Sequence, residues 1–136
     1  MKIIIVGGVA GGATAAARIR RLDEHAEITV FERSGYISYA NCGLPYYIGD
    51  VITDPEELTL QTPESFFKRF RINMKIHHEV ISIHPERKTV SVKNLENGEI
   101  FIEKLDIENP IIRINTAFKG CSSLEKISVL PRIYHN

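Results

Sequence analysis

Neither sign of charge is in excess. Lys plus Arg and Asp plus Glu each total 17, so no global field draws the chain to nucleic acid or to an anionic membrane surface. Long hydrophobic runs are missing as well: Ile3 to Val6 is far shorter than the roughly 20 residues a spanning helix needs. The N-terminus enters a strand at Lys2-Ile3, without the basic, apolar and small-residue segments of a secretory leader. Cysteine is scarce. Cys42 and Cys121 are far apart and form neither a disulfide framework nor a zinc pattern. No second cysteine lies two or five residues from Cys42, which excludes a local redox disulfide. A reducing cytoplasm is therefore the expected setting, with no nucleic acid and no membrane as partner. The 136 residues amount to one domain's worth of chain.

What is present divides the chain into stretches. Lys2 to Val6 is a β-branched run ending in glycine, the pattern of a buried parallel strand. Gly12 to Leu22 predicts a helix, with Ala13, Ala15, Ala16 and Ala17 giving a close-packing face. Arg18, Arg20 and Arg21 crowd its second half, where cations suit the helix dipole. Glu27 to Glu32 predicts the second strand, and residues 33–62 read as loop-rich. Thr62-Pro63-Glu64-Ser65 is a helix-start signal with Thr62 as N-cap, and that helix should end near Phe70. Met74, Ile76, Val80, Ile81 and Ile83 suggest one strand or two abutting ones. Thr89 to Val92 and Glu99 to Ile102 alternate around an Asn97-Gly98 turn. The fold class is thus α/β, a Rossmann-like β-α-β half followed by a small antiparallel β-meander. The division expected is a partial nucleotide-binding domain over 1–102 and a divergent tail over 103–136.

Val6-Gly7-Gly8-Val9-Ala10-Gly11-Gly12 sits between the first strand and the Ala-rich helix. Gly7 permits a tight turn, Gly12 lets the helix pack on the strand, and free N–H groups at the helix start suit a pyrophosphate. Set against G-x-G-x-x-G, the middle position is Val9, a departure from glycine. Glu32, twenty residues after Gly12 at the end of the second strand, could accept both ribose hydroxyls. The alternative is a glycine-rich turn that holds no ligand. Ten residues beyond Glu32 comes Cys42, within Ser38-Tyr39-Ala40-Asn41-Cys42-Gly43-Leu44-Pro45-Tyr46-Tyr47. A lone cysteine there would pair with a small thiol or cycle through a sulfenic acid. A buried inert cysteine is the alternative, although Asn41, Gly43 and Pro45 make a constrained turn and not a core strand.

With these pieces in view, residues 1–102 resemble the N-terminus of the coenzyme A-disulfide reductase group. These are single-cysteine members of the FAD-dependent pyridine nucleotide-disulfide oxidoreductases. The likeness extends to members that carry a C-terminal rhodanese domain. It rests on Ile5 to Gly12, Arg20-Arg21-Leu22-Asp23, Phe31-Glu32-Arg33, Ile37 to Gly49, Gln61-Thr62-Pro63-Glu64 and His78-Glu79-Val80-Ile81. The family tolerates a residue other than glycine at the position of Val9. The resemblance implies FAD as cofactor, held by the glycine turn (Gly7, Gly8, Val9, Ala10, Gly11, Gly12), by Glu32 and Arg33, and by the backbone of Val80. It implies Cys42 as the redox nucleophile, with amide donors at a helix start from Gly43 onward to favour its thiolate. Thr14, Arg18, Arg21, Ser38 and Asn41 would hold coenzyme A, as a thiol or disulfide, or orient its sulfur. Working relatives also need a second dinucleotide half for NAD(P)H, a later flavin motif and a dimerisation domain, so this stretch is expected to be inactive alone.

Residues 114–131 resemble one repeat of bacterial surface leucine-rich proteins, and a single repeat cannot bury its own apolar face. Cys121 then reads as a small apolar repeat residue. His77 and His78 would face opposite sides of a strand and make a poor metal pair. Glu56-Glu57 and the arginines of the helix read as solvated faces, apart from the coenzyme A role for Arg18 and Arg21. Tyr36, Tyr39, Tyr46 and Tyr47 should pack loops, with Tyr46 or Tyr47 available to a flavin cavity. Two competing readings remain: a nucleotide-binding remnant that catalyses nothing, and an interaction protein led by the tail. An uncovered sheet edge would favour a homodimer.

Overall fold

Three isoleucines in a row on one strand can all be buried only if both faces of the sheet are covered, and Ile3, Ile4 and Ile5 are so buried. The computed structural model that shows this describes residues 1–105 and the backbone of Ile112 and Arg113. Cys121 and the repeat-like stretch at 114–131 lie outside the described residues.

From β1 (Lys2–Val6) the chain turns through the glycines into α1 (Ala10–Leu22) and returns as β2 (Glu27–Phe31). A connecting region holds β3 (Ile37–Tyr39), α2 (Leu44–Ile48) and β4 (Thr59–Gln61). Then come α3 (Pro63–Phe70) and β5 (Ile72–Lys75). The meander is β6 (His78–His84), β7 (Thr89–Asn94) and β8 (Ile100–Lys104), and β9 (Ile112–Arg113) follows. The main sheet has the order β5-β2-β1-β9 and is parallel throughout.

Alternation along the strands builds a core on each face. On one side, Ile3, Ile5, Ile28 and Val30 pack with Ala13 and Ala16 of α1 and Phe66 of α3. On the other, Ile4 and Phe31 meet Val90, Val92 and Leu105. Each large side chain buried this way contributes about 1.5–3 kcal/mol, so the meander is a structural lid over the sheet. It runs two residues past Ile102, through Lys104, and Leu105 is buried.

Several expectations hold and some are corrected. At α3, Thr62 Oγ1 accepts from the Ser65 N–H at 3.2 Å while Ser65 Oγ accepts from the Thr62 N–H at 3.0 Å, a reciprocal cap behind Pro63. Helix α1 begins at Ala10, two residues ahead of the expected Gly12. The doubtful stretch from Met74 to Ile83 is two strands. His77 lies between them in a left-handed turn (φ 55°), so the opposed-face argument does not apply to it. The His78 ring packs near Phe31 and Phe101, with centroids 6.2 and 5.9 Å away. Among the described residues no cluster of His, Cys, Asp or Glu could hold a metal, and no helix is long and apolar enough to cross a membrane. The sheet edge beside β1 is partly occupied: β9 pairs with Ile5 and Val6.

Arg20 is the sharpest correction, because it is no solvated surface cation. Its Nε donates to Phe70 O at 2.8 Å. Nη1 donates to Asp23 O and Glu24 O at 3.1 and 2.6 Å, and Nη2 to Ala26 O and Arg71 O at 2.6 and 3.0 Å. The whole donor fork is spent on carbonyls from the end of α1, the turn into β2 and the end of α3. Lysine, a compact charge on a flexible stem, cannot span that set. Arg20→Lys should lower stability by about 1–3 kcal/mol, read as a shifted urea midpoint. Arg18→Lys on the exposed face should stay within about 0.5 kcal/mol of the parent.

Candidate functional site

The turn between β1 and α1 is shaped by two close constraints. Gly7 adopts φ 100°, a region that side chains disfavour, and its N–H donates to Phe31 O at 2.8 Å. A Cβ on Gly12 would lie 1.7 Å from the Gly7 carbonyl oxygen, so α1 approaches the end of β1 more closely than any side chain allows. Val9, where glycine is usual, has φ −79°, which a branched residue adopts freely. It is the N-cap of α1, with no side-chain capping bond and no acidic residue in the first turn. The N–H groups of Ala10, Gly11 and Gly12 are therefore left to an outside acceptor, at the positive end of a helix dipole.

Glu32 lies where the sequence places it, at the end of β2, and is 6% exposed. Its Oε2 accepts from the Gly8 N–H at 2.6 Å and its Oε1 from the Ser34 N–H at 2.9 Å. Each oxygen keeps lone-pair capacity for a further hydrogen bond. Arg33 is exposed beside it. The His78 N–H donates to the main-chain carbonyl of Glu32 at 3.0 Å, so β6, carrying Val80, starts beside the backbone of that residue. Uncapped amides, a turn free of acidic side chains and a buried carboxylate together fit an adenine dinucleotide such as FAD.

Cys42 is a free, exposed thiol in a single helical turn, Asn41–Gly43, that runs into α2. The expected constrained turn is there. The Ala40 N–H donates to Leu58 O at 2.8 Å and the Gly43 N–H to Ala40 O at 2.9 Å. A Cβ on Gly43 would sit 2.5 Å from Leu58 Cδ2, and Leu58 is fully buried, so the turn is seated on that side chain. Ser38 adopts φ 49° inside β3, a conformation costing about 1–3 kcal/mol for a residue other than glycine. It directs its N–H to Gly8 O at 2.9 Å.

Thr14, Arg18 and Arg21 are all exposed and share one stripe of α1 by their spacing, while Ser38 and Asn41 are half-buried on the neighbouring connection. Helix α1 packs against β3, which brings the two groups of predicted substrate residues onto adjoining elements. Tyr46, Ile48 and Val51, in the stretch after the thiol, are exposed apolar side chains, at 59%, 79% and 73%. Sequence reasoning missed Leu58 as the seat of the Cys42 turn and Ser38 as its tie to the glycine turn. Both depend on partners distant in the chain, with no local signal.

Residues 1–107 match the family model described as pyridine nucleotide-disulphide oxidoreductase. A coenzyme A disulfide reductase of Staphylococcus epidermidis is 52% identical over 105 residues, covering 77% of this chain and 24% of that protein. One from Staphylococcus aureus is 50% identical over 105 residues, with the same shares. Among solved structures, reduced Bacillus anthracis CoADR-RHD is 49% identical with a TM-score of 0.75, over 82% of this chain and 19% of that one. An NAD-dependent persulfide reductase from A. fulgidus is 36% identical with a TM-score of 0.73, over 78% and 20%. The chain belongs to the pyridine nucleotide-disulphide oxidoreductase family and spans about a quarter of the length of the curated relatives it matches.

Gly12→Ala tests the close approach that opens the site. The added methyl and the Gly7 carbonyl cannot coexist without displacing α1, so stability should fall by at least about 2 kcal/mol. Ala15→Gly, in the same helix, should cost only about 0.5–1 kcal/mol. Equal losses in urea denaturation would show that the helix start yields freely.

Proposed function

We propose that the chain is the FAD-binding N-terminal segment of a flavin-dependent coenzyme A-disulfide or persulfide reductase. The observation that carries this reading is the hydrogen-bonded link between an uncapped glycine turn and a short strap bearing one exposed thiol. The likeness to coenzyme A disulfide reductases of Staphylococcus supports it.

In this reading the turn Gly7, Gly8, Val9, Ala10, Gly11 and Gly12 cradles the pyrophosphate, with the Ala10, Gly11 and Gly12 amides as donors, since those of Gly7 and Gly8 are taken by Phe31 O and Glu32. Glu32 takes the ribose hydroxyls, Arg33 adds positive charge, and the Val80 backbone meets the adenine. The stripe of Thr14, Arg18 and Arg21, with Ser38 and Asn41, orients coenzyme A by its phosphates and its sulfur. The Cys42 thiolate attacks a sulfur of the substrate and the substrate's S–S bond breaks. A disulfide releases one coenzyme A thiolate and a persulfide releases hydrosulfide, leaving coenzyme A on Cys42 as a mixed disulfide. Bound FAD supplies the electrons that reduce this bond, drawn in the full-length enzyme from NAD(P)H. A reducing cytoplasm would keep Cys42 as a thiol between turnovers, and the exposed apolar side chains in the stretch after it favour a homodimer.

A second reading is a nucleotide-binding segment that performs no turnover by itself, which the uncapped turn and the buried Glu32 carboxylate fit equally.

The test is the visible absorption spectrum of the chain purified without added cofactor, followed by titration with FAD. Flavin bands at stoichiometric occupancy are expected, and Cys42→Ser should keep them while losing the rapidly titrating thiol. Protein that stays colourless in excess FAD would sink the flavin reading.

A further inference from the structure

We infer that Gly8 couples the nucleotide end of the site to the Cys42 turn, with Glu32 and Ser38 as positioning residues on its two sides. This deepens the proposed function and rests on reading the glycine turn as a nucleotide site.

The geometry is a relay through one residue. The Gly8 N–H donates to Glu32 Oε2 at 2.6 Å in a buried bond, and the Gly8 carbonyl accepts from the Ser38 N–H at 2.9 Å. The residue has no slack: a Cβ there would meet Glu32 Cβ at 3.0 Å and Ile37 Cγ2 at 3.2 Å. Packing this close transmits a displacement and does not absorb it. Beyond Ser38, only Tyr39, Ala40 and Asn41 precede the thiol. That strap is tied downstream by the Ala40 bond to Leu58 and the Gly43 bond to Ala40. Upstream it is tied to the glycine turn through Ser38 and to β4 through the pairing of Ile37 with Gln61 and Tyr39 with Thr59, so the Ser38 bond is the tie that reaches the nucleotide end. Ser38 is held at φ 49°, away from the extended conformation of its strand, so releasing Gly8 also releases Ser38 toward that conformation.

A nucleotide that engages Glu32 and the first-turn amides of α1 holds both sides of Gly8. Occupancy of the adenosine half, remote from the reacting sulfur, therefore sets how often the Cys42 turn opens. Nucleotide and ordered turn favour each other, as linkage requires.

Adenosine diphosphate is the right probe, because it lacks the flavin ring and cannot shield the Cys42 turn directly. Amide hydrogen exchange at Ser38 and Gly43 reads local opening, and the Val90 amide, in the meander, reports global stability. Saturating adenosine diphosphate should slow exchange at Ser38 and Gly43 about fivefold or more relative to Val90. Gly8→Ala, which drives a methyl between Glu32 and Ile37, should speed ligand-free exchange at both amides and remove most of the nucleotide effect. Should that variant not fold, Glu32→Gln carries the comparison: it keeps the shape of the side chain and loses one of the two acceptors. Binding seen by calorimetry with no change at Ser38 and Gly43 would overturn the coupling and leave the nucleotide reading standing. Absence of binding would overturn the nucleotide reading, and the ligand-free variants would still decide the coupling. Unchanged ligand-free exchange in a folded variant overturns it.

Discussion

The start of α1 rests on the carbonyl of Gly7. Because residue 12 has no side chain, the first turn of the helix touches the end of β1, and most of the site follows from that contact. It fixes the helix start just where β1 ends, so the unpaired amides sit beside the C-terminal ends of β1 and β2. In an open parallel sheet that is where ligands bind. It also sets Gly8 against Glu32, whose buried carboxylate is tolerated because backbone N–H groups meet both oxygens. A glycine inside a helix ordinarily weakens it by about 0.5–1 kcal/mol. Here that loss maintains an approach no other residue permits.

The second constraint is two-sided burial. A parallel sheet with one bare face would expose Ile4 and Phe31, and the meander covers them. The half-buried ion pair between Lys2 and Glu103, at 2.6 Å, ties the start of β1 to β8 at the rim of that contact. The meander also shapes the site, since His78 at the start of β6 is bonded to the Glu32 carbonyl.

What could be read from the sequence was whatever local chemistry encodes. The β1-α1-β2 unit is legible because its strands are β-branched, its helix is Ala-rich and its turn is glycine. The start of α3 is legible because Thr62 and Pro63 have one good use together. The β7–β8 hairpin follows from Asn97-Gly98 and alternation on both sides. Long-range backbone bonds decided the rest. The stretch 33–62 reads as loop because β3 and β4 are too short to show a period, and Ser38 and Ala40 find partners at Gly8 and Leu58. Arg20 looked like one cation in a basic cluster because its five acceptors are main-chain carbonyls, which carry no sequence signature. The pairing of β9 with β1 was hidden by its length of two residues.

Binding and turnover place different demands on this fold, and the difference explains how the site is divided. The proposed nucleotide site draws on β1, α1, β2 and the start of β6, elements joined by backbone hydrogen bonds and packing. In the proposed function the thiol must be reached by a large substrate, and a buried turn could not admit one. Cys42 is accordingly exposed, on a strap whose stability is borrowed: Leu58 seats it from below and the glycine turn anchors it upstream. The apolar side chains beyond it, Tyr46, Ile48 and Val51, point away from the described core. Such a surface is stable in water only at a cost. The buried half of the site and the exposed half are joined at Gly8, whose carbonyl takes the Ser38 N–H, and the proposed coupling rests on that bond.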